Sequence, residues 1–307
     1  MFFIWRNIPI FIIYLTGLSI LDTALHEVVP PLKFVPWLCL VPLFTSLILL
    51  AFAVRNLRNG FRLRRYLLWS SAMACVYAIT LFPRTGTPLS TDTHRLIYEA
   101  SAIVEFIIIA LHARTWLKGW GWVWVFGVTL CFGMILENGG IVMGFFREDG
   151  YLLYLPGLGA PVATMIGWVN ILYCGFFSVE KLLPKMRPLL RGFVCSCIAL
   201  SVDIPFDPVA TRLSWWVWND ALTMSIWGVP VINFVAWFWA LFPYAWCYYW
   251  MRLNEGMTEG RKIALFSAII PVILVAELGG VIVSLSALGD HGALEIVRQF
   301  FRHLLSR

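Results

Sequence analysis

Long apolar runs alternate with short polar breaks along the whole chain, and the breaks are too brief to hold a folded domain. A helix needs about 20 residues to cross a hydrocarbon core about 30 Å thick. Runs near that length lie at 8–28, 35–54, 66–83, 96–112, 120–146, 162–180, 192–209, 229–250 and 263–287. The pattern predicts an all-α, polytopic transmembrane bundle of about eight or nine spans over residues 1–288, with no soluble domain. The run at 192–209 is the weakest, because Pro205 and Pro208 are expected to cut its end. Residues 289–307 predict a short amphipathic tail. Val297, Phe300, Phe301 and Leu304 would face a membrane surface, with Arg298, Arg302 and Arg307 toward headgroups.

Composition agrees with the pattern. Hydrophobic residues make up 60% and charged residues 13%, at a mean hydropathy of +0.80. Soluble domains carry about 45–50% apolar and about 25% charged residues, so this chain lacks the polar surface that water requires. The first apolar run is expected to be a retained span rather than a cleaved signal. No small-x-small site precedes a soluble region, and Asp22 interrupts the run. The net charge of +6 is no nucleic-acid signature, because the Lys and Arg residues sit in short clusters between apolar runs. The clusters at 55–65, 114–118, 181–191 and 252–262 share one side if the spans alternate, which puts the N-terminus in the cytoplasm. All 7 cysteines fall in apolar stretches without metal-type spacing and read as small buried hydrophobes.

Carboxylates inside spans are costly and by default functional candidates. Asp22, Glu99, Glu105, Glu137, Asp203, Asp207 and Glu277 all fall in the same half of the membrane once the spans alternate, as do Asn138, Asn170 and Asn233. That shared depth predicts one polar cavity in the outer half of the bundle. Two groups stand out. Glu137-Asn138-Gly139-Gly140 runs on to Gly144, a GxxxG spacing that permits close helix approach. Asp203 and Asp207 lie four apart around Pro205, where freed backbone carbonyls are tolerated only against protein or a wet cavity. His94 and His112 lie near opposite ends of one span, and the His26/Glu27 pair is isolated, so no metal site is expected.

Tryptophan is the second unusual feature, with 16 in the chain. Trp116, Trp120, Trp122 and Trp124 flank one boundary, and Trp215, Trp216, Trp218 and Trp227 the other, as interfacial anchors do. Trp168, Trp237 and Trp239 sit well inside spans. They either pack against neighbours or line a pocket for an apolar substrate, where indole faces stabilise a cation.

At these residues the sequence resembles a known family. The stretches are Glu137-Asn138-Gly139-Gly140, Tyr151-x-x-Tyr154, Ala160-Pro161-Val162 and Gly167-Trp168. Asp207-Pro208-Val209-Ala210 follows, with Trp215-Trp216-x-Trp218, then Trp227-Gly228-Val229-Pro230-x-x-Asn233-Phe234-x-x-Trp237-Phe238. Their order and spacing resemble the membrane carotenoid hydratases of the CruF or bisanhydrobacterioruberin hydratase type. The likeness is close from Glu137 to Trp239 and rests on hydropathy elsewhere. Trp227 and Ala236 depart from the tyrosine and glycine common in that family.

The resemblance implies addition of water across the terminal 1,2 double bond of an acyclic carotenoid ψ-end, giving a tertiary alcohol. The expected setting is a bacterial or archaeal cytoplasmic membrane, with lipid, a carotenoid or polyprenyl substrate and other carotenoid-pathway enzymes as partners. No redox cofactor is needed, and no dinucleotide, P-loop, haem or flavin motif is present. The chemistry needs a neutral acid for C2, a cation-tolerant wall around C1, and a held water. A carboxyl removed from water favours its neutral form, so the deeper Glu137 is expected to donate the proton. Asp207, with Asp203 as partner, is expected to orient the water. Asn138, Tyr154, Trp168, Asn170, Trp215, Trp216, Trp218, Asn233 and Trp237 are the expected substrate-lining residues. Two alternatives stay open: another acid–base reaction on a polyprenyl chain, such as cyclisation or isomerisation, and a proton-coupled or lipid transporter.

Overall fold

A computed structural model describes residues 5–26, 44, 89–117 and 121–306. In chain order its helices are α1 (Ile8–His26), α2 (Thr91–Trp116), α3 (Gly121–Met143, with a π-helical turn at Trp124–Val128), α4 (Val162–Leu182), α5 (Pro188–Arg212), α6 (Val231–Arg252), α7 (Glu259–Leu288) and α8 (His291–Leu305). The six helices α2 to α7 are each long and apolar enough to cross a membrane, as an integral membrane protein requires. The apolar stretch of α1, Ile8–Ala24, is shorter. The expected spans at 35–54 and 66–83, and the basic loop at 55–65, lie outside the described residues.

Local chemistry sets the helix ends. Ser90, Thr258 and Asp290 cap α2, α7 and α8 by accepting the backbone N–H of Thr93, Arg261 and Ala293. Gly144 closes α3 and Gly289 closes α7, at φ of 85° and 74°. Two expectations change here. Gly140 and Gly144 do not form a helix–helix groove: Gly144 is the left-handed cap, and Gly140 lies under the Phe146 ring. Pro205 and Pro208 do not end α5, which runs unbroken to Arg212. Packing on α6 and α4 holds those turns against the loss of two N–H donors.

Helix α4 is the centre of the bundle. Of its apolar stretch 83% is buried, against 22% for α7. The largest apolar cluster includes Phe132, Trp168, Tyr173, Phe176, Tyr244 and Ile273, and a second joins Leu222, Ile232, Val281, Leu285, Ala293 and Ile296. On α6 and α7 the polar residues Asn233 and Glu277 fall between positions that belong to these two clusters. A polar layer thus divides the apolar core near one end of the bundle.

That end is closed by loops. The strands β1 (Phe146–Arg147) and β2 (Val217–Trp218) pair antiparallel, so the α3–α4 and α5–α6 loops cover the same face. Strands β3 (Ser225–Ile226) and β4 (Val229–Pro230) form a hairpin turned by Trp227 and Gly228, both at positive φ as a tight hairpin demands. The tail helix α8 docks on this face through Ala293, Ile296 and Val297. Val297 is therefore buried against the bundle rather than facing a membrane surface, while Leu304 is exposed. At the opposite end Arg252 pairs with Glu180 at 3.4 Å, and Arg191 donates to the carbonyls of Met186 and Pro184.

The two ends should lie on opposite sides of the membrane. Single cysteines placed at Lys185 and at Asp220, in a variant lacking the native cysteines, should be labelled from opposite sides of the membrane. Labelling of both from one side would break the alternation.

Candidate functional site

The polar layer is assembled from consecutive turns of four helices. On α3, Gly133 lies one turn before Glu137. A side-chain carbon there would meet the Met165 carbonyl and the Trp168 Cβ at 2.8 Å, so only glycine lets α3 come this close to α4. The close approach brings the Trp168 indole N–H to Glu137, where it donates to Oε1 at 2.5 Å. The Trp168 ring stacks on Trp237 of α6, with centroids 4.3 Å apart and planes 21° from parallel. Offset stacking of this kind adds about 0.5–1.5 kcal/mol beyond the area it buries.

Trp237 carries the site across to the second acid group. One turn earlier on α6, Asn233 donates through Nδ2 to Asp203 Oδ2 at 3.4 Å and to Asp207 Oδ2. Asp203 and Asp207 sit four apart on α5 and are both buried. Glu137, Trp168, Trp237, Asn233, Asp203 and Asp207 thus form one connected group. Glu137, Asn233 and Trp237 keep part of their surface accessible, whereas Trp168 and the two aspartates do not.

The loop between α3 and α4 covers this group, and side chains from the bundle pin it down. Glu99 of α2 accepts the backbone N–H groups of Leu152 and Leu153 at 3.0–3.1 Å. Asn138 Oδ1 accepts those of Gly159 and Ala160 at 2.8 and 3.1 Å. The Tyr154 hydroxyl donates to the Glu148 carbonyl at 2.6 Å. Arg95 donates to the Ser214 carbonyl at 2.5 Å and lies over the Tyr151 ring, joining this loop to the α5–α6 loop. An aromatic wall stands beside it: Tyr98 stacks on Trp215 at 5.0 Å, and Phe206 contacts Tyr98, Trp215 and Trp216 at 5.6–5.7 Å.

Several expected lining residues lie elsewhere. Asn170 is two residues from Trp168, about 200° around the helix, and donates to the Ala102 carbonyl of α2 at 3.1 Å. It also bonds Glu105, so that acid belongs to a separate contact with α1 and α2. Asn138 and Tyr154 hold the covering loop and present no free group to the acids. Trp215 and Trp216 are buried in the aromatic wall, and Trp218 donates to Thr211 Oγ1 at 3.0 Å while its ring meets Phe146. The acids at one depth therefore divide among at least three places, and only Glu137, Asp203 and Asp207 gather. A separate apolar groove, lined by Phe106, Ile107, Ala110, Leu111, Arg114 and Trp122, holds none of them.

The structure adds one acid that the pattern of spans does not reveal. Glu148 lies in the covering loop between exposed Arg147 and Asp149, yet it is 4% exposed itself. Thr164 Oγ1 donates to its Oε2 at 3.2 Å. Burial pushes its carboxyl well above the ordinary carboxylate range, and the nearby charge of Glu137 pushes it further. The native protein therefore holds a proton that the unfolded chain releases near the ordinary value of 4.5. Stability from this group is full below that pH and falls as pH rises toward the raised native value. Glu148→Gln keeps the acceptor for Thr164 and removes the titration. Its apparent melting temperature in detergent should match the wild type near pH 4 and exceed it by a few degrees near pH 8. Parallel profiles for the two proteins would contradict this.

No protein-family model, curated protein or solved structure matches the chain.

Proposed function

We propose that the protein is a cofactor-free hydratase acting on the terminal double bond of an acyclic carotenoid or related polyprenyl chain within the membrane. The observation that carries this reading is the Glu137 carboxyl held by an indole N–H, beside two stacked indoles, with the Asp203–Asp207–Asn233 group beyond them. The family resemblance runs through the same residues.

In this reading Trp168 fixes one oxygen of Glu137, and the other carries the proton given to C2. The cation that forms at C1 lies against the indole faces, each worth about 2 kcal/mol or more once water is excluded. Asp207, oriented by Asn233 and supported by Asp203, holds the water that attacks C1 and takes its proton. A carotenoid end reaches the site sideways from the bilayer, in which the substrate is itself dissolved. The unbroken course of α5 favours this reading over a transporter, whose sites are commonly built on discontinuous helices.

Expression in a host that makes lycopene is the direct test. Pigment extracts should contain a tertiary alcohol heavier than lycopene by one water. A cyclic or isomerised pigment of unchanged mass would instead indicate the related acid–base chemistry. Unaltered lycopene, with the protein present in the membrane, would overturn the reading.

A further inference from the structure

Glu148 is the buried acid that the chemistry above leaves unused, and its place in the fold suggests a use. Two side chains on one face of α4 hold two carboxyls. Thr164 donates to Glu148, and Trp168, four residues on, donates to Glu137. Four residues are one helical turn, a rise of about 6 Å, so Glu148 sits about one turn outward from Glu137. The charges that act on it are those of Glu137 first and Asp207 second. The carboxyl is sealed from the surface, but the backbone that carries it belongs to the outer loop, and the Tyr154 hydroxyl fixes its carbonyl.

Hydration is neutral in protons but leaves them in the wrong places. Glu137 gives one proton to C2, the water oxygen bonds to C1, and the second proton of that water ends on Asp207. The alcohol is complete, yet the acid is now a carboxylate and the base is protonated. A second turnover needs one proton moved from Asp207 to Glu137. We propose that Glu148 is the relay that makes this transfer, accepting the proton from Asp207 and passing its own to Glu137, across ordered water where the groups do not touch. The relay rests on the hydratase reading of the same site and adds a residue to it. It needs no oxidant, reductant or further reactant, since each proton taken up is one released.

The test separates the first turnover from those that follow. Purified protein in detergent is mixed with lycopene, once with protein in excess and once with substrate in excess. For Glu148→Gln the first turnover should proceed within about threefold of the wild type, because Glu137 and Asp207 start correctly charged. Its steady-state rate should fall about 100-fold, the size usual for a lost proton-transfer group. Formate, a small diffusible acid, should restore part of that rate, which a merely structural role would not allow. Thr164→Val, which keeps the acid but removes its hydroxyl partner, should slow steady turnover while sparing the first. Steady turnover of Glu148→Gln at the wild-type rate would overturn the relay, and so would loss of its first turnover in protein that still melts cooperatively. Absence of alcohol from the wild type would instead refute the hydratase reading, and the relay with it.

Discussion

Glu137→Gln should abolish the proposed hydration while leaving the protein in the membrane and able to bind substrate. The amide keeps the volume of the carboxyl and still accepts the Trp168 indole N–H through its oxygen, so the stack on Trp237 should survive. What it lacks is an acidic proton. Loss of a general acid costs about 10²–10⁴-fold, enough to remove the alcohol from a pigment extract. The measurement is alcohol yield in a lycopene-producing host, normalised to the amount of protein in the membrane fraction. Near-normal yield would show that another acid protonates C2. Glu277 of α7 would then be the next to test, since its Oε2 is buried without a partner among the described residues.

Asp207→Asn should lose the alcohol to a similar degree but fail differently. On the proposed reading, proton donation by Glu137 is untouched and the cation should still form; without a base to activate water it would revert or lose a proton elsewhere. Alkene isomers of the substrate should therefore appear at unchanged mass, resolved by chromatography. The substitution also sets an amide where Asn233 now donates to a carboxylate oxygen. The change costs a charge-assisted hydrogen bond of about 1.5–3 kcal/mol unless the new amide turns its oxygen toward Asn233. Wild-type alcohol levels from this variant would remove Asp207 from the chemistry.

The contrast between these two acids and Asn170 shows how far a sequence can be read here. Depth is legible: alternating spans fix the level of every residue, which is why Glu137, Asp203, Asp207, Asn233 and Trp237 emerge together before any coordinates. Azimuth is not. Trp168 and Asn170 share a depth, but a rotation of about 200° sends one to Glu137 and the other to α2. The hydropathy of α4 is too uniform to set that rotation, because nearly all of it is buried. Prolines in α5 suggest a break by their local chemistry, and the surrounding helices override it. Glu148 is invisible for a different reason. It sits in a polar loop with Arg147 and Asp149, and only the fold of that loop over α4 separates a buried acid from its two exposed neighbours.

Glu137 and Asn138 are consecutive residues, and that adjacency has a mechanical meaning. A single peptide unit joins the carboxyl that meets Trp168 to the amide that latches the covering loop at Gly159 and Ala160. Any motion that lifts the loop from its latch pulls on the turn of α3 that aims the acid. Loop openings of this kind take microseconds to milliseconds, and during them the site is out of register. On the proposed reading, opening and reactivity would then exclude one another: the acid would be aligned only while the loop is latched and bulk water shut out.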